Sequence, residues 1–303
     1  MNRPTAFGPT DLLAALAVVL IWGLNFVAMK YSLREFSPFQ LGALRYLFAV
    51  FPLIFFVRPP QLSWRWVVPA GLAQFFQFGL LFLALRLGMS AALASVLMQT
   101  QVFFTALLGL LLLDERLTRP TVVAMLMAGL GLACFALNFV AGSTAGVTLI
   151  SLMLTLGGAS MWAASNIIAR HAQHARPGYD PLQFVVWMSL VPILPFVLMS
   201  LVFDTGADRL HWQGVSARAW AGAVYLGWFA TVAGYGLWTW LLKRHAAGRV
   251  APFGLGVPVI GLVAGMLALG ETVTAWQWAG SAFIVAALGA VQLLRPRAPV
   301  MPD

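Results

Sequence analysis

The sequence predicts an all-α integral membrane protein whose ten transmembrane helices form two inverted five-helix repeats. Three observations carry that prediction: the scarcity of charge, the number of long apolar runs, and a correspondence between the two halves of the chain. Of the 303 residues, 61% are hydrophobic and only 9% charged, against about 25% charged in a soluble domain. So few charges cannot cover a water-soluble body of this size, and the mean hydropathy of +0.88 agrees. These values exclude a soluble globular enzyme, a disordered chain and a disulfide-built secreted module.

About 20 apolar residues cross a bilayer core as a helix. Ten runs of that kind fall at 11–30, 38–57, 64–86, 90–112, 119–139, 146–169, 181–203, 217–242, 248–269 and 274–294. The first, with Arg3 ahead of it, has the outline of a signal peptide. It lacks a small-residue cleavage site and is followed by many more runs, so it reads as the first helix. The connectors are short, the longest polar ones being 170–180 and 204–218, and all four histidines are expected in loops.

The net charge of +9 would suggest nucleic-acid binding in a soluble protein. Here the basic residues stand in ones to threes between apolar runs, with no continuous face to follow a phosphate backbone, so nucleic acid is excluded as a partner. They read instead as a topology signal. With a cytoplasmic N-terminus, the inner segments hold Arg3, Arg58, Arg65, Arg116, Arg119, Arg170, Arg176, Lys243, Arg244, Arg249, Arg295 and Arg297, which is twelve. The outer loops hold Lys30, Arg34, Arg86, Arg209 and Arg218, which is five, and Arg45 within a run completes the 18. Both termini are therefore expected in the cytoplasm, with the chain multi-pass in the cell inner membrane. The single cysteine, Cys134, offers no disulfide and no Cys-ligated metal site, and no cofactor is expected.

The halves correspond at several places. Pro38-Phe-Gln40 opens the second run and Pro181-Leu-Gln183 the seventh, each followed fourteen residues on by Pro52 or Pro195. Trp22-Gly-Leu-Asn25 in the first run matches Trp162-Ala-Ala-Ser-Asn166 in the sixth. Gly109, Leu113, Glu115 and Thr118 match Gly265, Leu269, Glu271 and Thr274 at a constant offset of 156. The chain divides into residues 1–140 and 141–303, five runs each, and an odd unit followed by its copy must set the copy upside down in the membrane.

These residues also carry a resemblance. The runs LeuIleTrpGlyLeuAsnPhe (20–26), LeuGlyAlaLeuArgTyr (41–46), AlaAlaLeuAlaSer (91–95) and GlyLeuLeuLeuLeuAspGluArgLeuThr (109–118), with the Gly270-Glu271 echo, resemble the drug/metabolite transporter superfamily. More narrowly the chain is similar to EamA-type exporters. AlaGlnPhe (73–75), GlnThrGlnValPhePheThr (99–105) and ArgValAlaProPhe (249–253) resemble the cysteine and O-acetylserine exporters among them. The resemblance implies ten helices, cytoplasmic termini, a central cavity, and alternating-access efflux of small amino acids or their derivatives. Other members handle other neutral or aromatic amino acids, drugs or metabolites, and that alternative stays open.

Polar residues inside a bilayer are costly and face a cavity or another helix. Trp22 and Asn25 share a face of the first helix, and Trp162 and Asn166 share one in its counterpart. An indole beside an amide suits a small zwitterion, although an Asn also bonds helices together. Gln74 and Gln77 share a face of the third helix. In the fourth, Gln99 and Gln101 stand about 200° apart at 3.6 residues per turn, so one of the pairs Ser95/Gln99 and Gln101/Thr105 lines the cavity while the other packs. We expect Gln101 with Thr105 to line it. Arg45 lies roughly 10 Å inside its run, where it either forks onto a substrate carboxylate or snorkels to the outer interface. Tyr235 and Trp238, with Thr231 a turn earlier, offer a lining face or an interface belt. Pro52, Pro195, Pro252 and Pro258 are expected to kink helices near the cavity, and Gly129 and Gly131 to let helices approach closely.

Glu115 and Glu271 end the fourth and ninth runs beside Thr118 and Thr274, which suit helix caps; the pairing favours a structural corner over a proton relay. No Asp or Glu stands at the middle of a run. Two other classes are weighed. Asp204-Thr-Gly-Ala-Asp208 has the spacing of a Mg-diphosphate motif but stands without a second acidic partner, which leaves an intramembrane enzyme as a distant alternative. Neither HExxH nor GxSxG occurs. A receptor is disfavoured by the absence of an extramembrane domain.

Overall fold

The computed structural model describes residues 8–113, 118–140, 147–176, 178–206, 214–245 and 247–293. Among them there are helices and connecting turns and no β-strand. Glu115 and Asp208, singled out in the sequence, lie outside the described residues.

Eight helices are long and apolar enough to cross a membrane: Pro9–Ser32, Pro38–Phe55, Trp64–Arg86, Ala91–Leu112, Arg119–Asn138, Leu149–Ala175, Pro181–Phe203 and Ala251–Leu269. These correspond to the first to seventh and the ninth apolar runs. The eighth is assembled from Ala217–Val224, a π-helical stretch Tyr225–Ala233 and Gly234–Arg244. The tenth is the helix Ala275–Leu293. They are called the first to tenth spans below.

Local chemistry sets their starts. Ser37 accepts from the Gln40 amide while the Gln40 side chain answers to the Ser37 amide, with Pro38 in the first turn. Ser63, Ser90, Thr148, Asp180 and Ser216 cap the third, fourth, sixth, seventh and eighth spans, each accepting from a backbone amide of the first turn. Thr274 caps the tenth by accepting from the Gln277 amide, and Thr118 accepts from Thr121, so both threonines serve as the caps expected of them. The ninth span stops at Gly270, whose φ of 65° belongs to the left-handed region that glycine enters without strain.

The sixth span corrects one expectation. It continues as helix to Ala175, so the first residues of the connector at 170–180 are helical, and His171 and His174 stand on a helix rather than in a loop. Ala, Gln and Arg favour helix, and nothing ends it until the residue before Pro177 is reached. His245 closes the eighth span at its C-cap, while His211 lies outside the described residues.

The spans alternate between two ends of the molecule, here named for Pro9 and Ser32. The first starts at the Pro9 end and its counterpart, the sixth, at the Ser32 end; Pro38 and Pro181 likewise open the second and seventh spans at opposite ends. Packing repeats this inversion. The third span lies along the sixth as the first lies against the eighth, and the pairs second–seventh, fourth–ninth and fifth–tenth each join a span to its own counterpart. Exchanging the two halves maps this set of contacts onto itself, as two repeats related by an in-plane axis require.

Several spans lose regular α-geometry part-way along. The fourth passes through a 3-10 turn at Met98–Thr100, the eighth through its π stretch, and the ninth through a 3-10 turn at Ala251–Leu255 that contains Pro252. The second breaks after Val50, next to Pro52. In the seventh the break runs from Ser189 to Pro192, ahead of Pro195. Pro195 therefore sits in the first turn of Ile193–Phe203, where a missing N–H costs little, instead of kinking a helix. Close approach is confirmed at Gly131, where an added Cβ would lie 2.8 Å from the Gly280 carbonyl oxygen. At Gly129 the space is open.

Candidate functional site

The interruptions of the fourth, eighth and ninth spans lie along a central cavity of about 290 Å³, near the lower bound of ordinary ligand pockets. Both halves supply its wall. Of the residues expected at a site, Trp22, Asn25, Arg45, Gln77, Gln101, Trp162, Asn166, Tyr235 and Trp238 all line it, joined by Phe26, Phe78 and Gln99. Gln74 does not. It is buried, accepts from the Tyr46 hydroxyl at 3.1 Å and donates to Ser165 at 3.3 Å, so it ties the second, third and sixth spans together.

The indole of Trp22 donates to the Ala230 carbonyl at 3.0 Å. That carbonyl belongs to the π stretch of the eighth span, where Thr231 turns back to the Leu226 carbonyl at 2.9 Å rather than facing the cavity. Tyr235 meets the Trp22 ring edge-on at 5.3 Å, and Trp238 lies 5.5 Å from it. One wall is thus aromatic. Elsewhere, Asn166 donates to Gln101 Oε1 at 2.8 Å and to Thr105 at 3.3 Å, and Thr105 also donates to Gln101. These three form a network between the fourth and sixth spans, and Thr105, expected to line the cavity with Gln101, is not among the residues that wall it.

Gln99 lines the cavity together with Gln101, against the expectation that the two point apart. The 200° estimate assumed an unbroken α-helix. The 3-10 turn at Met98–Thr100 has about three residues per turn and brings the pair nearer to one side. Ser95 packs as expected, donating to the carbonyls of Ala92 and Pro258.

Arg45 is only 3% exposed, so it does not snorkel. Its Nη1 donates to Asn25 Oδ1 across a long 3.4 Å, and its guanidinium lies 3.8 Å over the Phe78 ring. Phe78 was missed in the sequence, where one Phe among 22 carries no distinguishing signal. No Asp or Glu is among the residues lining the cavity.

Carboxylates occur at the ends of the spans instead. Glu271, from the ninth–tenth connector, accepts from the Ala91 and Ala92 amides at 2.7 and 2.8 Å and so caps the fourth span of the other repeat. The structural-corner reading of Glu271 stands on these bonds. Lys30 beside it donates to the Leu85 and Met89 carbonyls. Asp204, buried, accepts from Ser37 at 2.7 Å and from Ser200, which makes it a structural tie rather than half of a diphosphate motif. At the exposed surface Glu35 accepts from both the amide and the hydroxyl of Ser216, and these bonds hold its carboxyl below the ordinary glutamate range.

A second cavity of about 370 Å³ lies between the second and seventh spans, walled by Ala43, Leu44, Leu47, Val197 and Leu201. It is nearly all apolar and opens on a face of exposed aliphatic side chains, and its polar lining residues, Gln40 and Ser200, are engaged in bonds at helix ends.

An all-helical membrane body of two inverted repeats, with a polar and aromatic cavity between them, is the architecture of a solute transporter. Comparison with known proteins agrees. The EamA-like transporter family model matches residues 10–137 and again 149–292. The chain belongs to that family. A Salmonella typhimurium protein described as "Probable amino-acid metabolite efflux pump" is 40% identical over 283 residues, covering 92% of this chain and 93% of its own. An Escherichia coli protein of the same description is 38% identical over the same shares, and an uncharacterised transporter of Archaeoglobus fulgidus is 27% identical over 287 residues. One solved crystal structure superposes with a TM-score of 0.62 at 19% identity, covering 94% of this chain and 97% of that one, which is a likeness of fold.

Proposed function

We propose that this transporter exports small amino acids or amino-acid derivatives, of the cysteine and O-acetylserine type, from the cytoplasm by alternating access. The observation that carries the reading is the central cavity itself. Nine of the ten residues singled out as substrate contacts line it, from both repeats, with amides, aromatic faces and one guanidinium in place of carboxylates. The relatives described as amino-acid metabolite efflux pumps support the same cargo class. In this reading the repeats divide at residues 140 and 141, and rocking of one against the other exposes the cavity to each side in turn. The Pro9 end is cytoplasmic, as the twelve-to-five division of Lys and Arg supports, and the membrane is the cell inner membrane.

The test is counterflow in proteoliposomes. Vesicles loaded with unlabelled O-acetylserine, cysteine, methionine or phenylalanine are diluted into the same labelled compound. Transient accumulation is expected for at least one of them and is expected to fall to background with Asn25→Ala inserted at normal levels. Absence of counterflow for all four would overturn the proposal. Accumulation of phenylalanine alone would move the cargo to the aromatic class.

A further inference from the structure

Two buried polar atoms of the cavity wall lack a hydrogen-bond partner: Arg45 Nε, a donor, and Gln77 Oε1, an acceptor. Both residues are more than nine-tenths buried, Arg45 at 3% and Gln77 at 2% exposed. An unpaired polar atom in a membrane interior is costly, and an unpaired charge more so. Gln101, Asn166 and Thr105 bond to one another through Gln101 Oε1, the Asn166 amide nitrogen and the Thr105 hydroxyl, and none of their atoms is both buried and unpartnered. Gln277 and Ser281 also carry unpartnered atoms, but on the tenth span and away from the cavity lining.

From this we infer that Arg45 and Gln77 form a dyad for the α-amino-carboxylate group, Arg45 taking the carboxylate and Gln77 Oε1 the ammonium of one cargo molecule. The inference rests on the export reading above and sharpens it into a selectivity rule: cargo must carry both groups free. The two ends of such a cargo match these two side chains in polarity. A carboxylate supplies the acceptor and the charge that Arg45 lacks, and a protonated amine supplies the donor that Gln77 lacks. Phe78 covers one face of the guanidinium at 3.8 Å, which leaves its edge for the fork. Neither unpartnered atom is exposed in the empty cavity, so both side chains turn inward to bind. Few hydrogen bonds hold them, since Asn25 holds Arg45 only at 3.4 Å and nothing holds Gln77 Oε1, and turning inward slides the guanidinium along the Phe78 ring.

The experiment uses the full chain in proteoliposomes and the first amino acid that gives counterflow. Its decarboxylated amine, its methyl ester and its N-acetyl derivative then compete with it. Each is expected to compete about tenfold or more weakly than the amino acid itself. In Gln77→Leu, an apolar change of similar size, the penalty on the N-acetyl derivative is expected to disappear while the penalty on the ester remains. In Arg45→Gln the ester penalty is expected to disappear. Competition by the amine or the ester within about twofold of the amino acid in the wild-type protein overturns the dyad and leaves export intact. Unchanged discrimination in a folded Gln77→Leu protein overturns the role of Gln77. Should Arg45→Gln fail to fold, the wild-type competition series still decides the matter, and lack of counterflow by any amino acid overturns both readings together.

Discussion

Replacing Glu271 by Ala removes a carboxylate that accepts from two amides, those of Ala91 at 2.7 Å and Ala92 at 2.8 Å. Both donors belong to residues with no exposed surface. A hydrogen bond to a charged group contributes roughly 1.5–3 kcal/mol, and a buried donor left unpaired forfeits a similar amount. Two such bonds give about 3–6 kcal/mol as an upper range. Glu271 itself is partly exposed, so water recovers some of the loss and about 3 kcal/mol is the expected cost. At about 2 °C per kcal/mol for a chain of this size, the thermal midpoint in detergent should fall by about 6 °C. Glu271→Gln keeps an acceptor without charge and should fall about half as far. The readout is tryptophan fluorescence of purified protein over a temperature ramp, with counterflow measured at 20–25 °C on the same samples. A midpoint within 1 °C of the wild type for Glu271→Ala would refute the corner. A stable Glu271→Gln protein whose transport no longer responds to a proton gradient would place the carboxylate in a relay instead.

Three further outcomes are expected. Gly131→Leu sets a side chain where even a Cβ would meet the Gly280 carbonyl at 2.8 Å, so the fifth and tenth spans separate and the thermal midpoint drops; Gly129→Ala, with open space around it, should match or slightly exceed the wild type. Phe196→Ala empties a fully buried position between Phe75 at 4.7 Å and Tyr46 at 6.1 Å, at an expected cost of about 3–5 kcal/mol in denaturant titration. Glu35, held below the ordinary glutamate range by Ser216, contributes its tie above the unfolded pKa and loses it as pH falls through the lower folded value. The acid limb of the pH–stability curve should therefore be shallower in Glu35→Gln, read as thermal midpoints between pH 6 and pH 3.

What the sequence disclosed depended on how local the cause was. Span positions followed from apolar length, and their starts from Ser, Thr and Asp standing before the helices. Arg45 was found because a lone charge in an apolar run is conspicuous, and Trp22 and Asn25 because they recur in the other half. Its choice between snorkelling and burial was not legible, since that depends on Phe78 and Asn25 closing over it from other spans. Gln74 and Gln77 look alike in sequence. Only the arrival of Tyr46 and Ser165 at Gln74 turns it into a tie while Gln77 remains on the cavity wall. Gln99 was misjudged because one helical period was assumed across a stretch that the fold tightens into a 3-10 turn.

The placement of charge bears on how such a body can move. Asp11, Glu35, Asp204 and Glu271 all join one repeat to the other, Asp11 through Arg244 at 3.0 Å and His245 at 3.0 Å, while Asp180 caps its own helix. Glu35, Asp204 and Glu271 lie at the Ser32 end, and each binds at or beside the start of a helix in the opposite repeat. Glu271 and Glu35 meet backbone amides at a helix start and Asp204 meets the Ser37 hydroxyl, so separation of the repeats at that end strips several donors at once. The buried Asp204 tie and the partly buried Glu271 tie outweigh the exposed Glu35–Ser216 contact, which solvent and salt screen. At the Pro9 end the ties between halves include the Asp11 cluster, Arg176 to Gln61 and Trp187 to the Val57 carbonyl. The cavity wall reaches toward this end through Trp238, Ala251 and Gly254. Scarce carboxylates at the ends and none in the cavity thus separate two tasks. Charge ties the repeats together at their ends, and the cavity wall is left to amides, rings and one arginine.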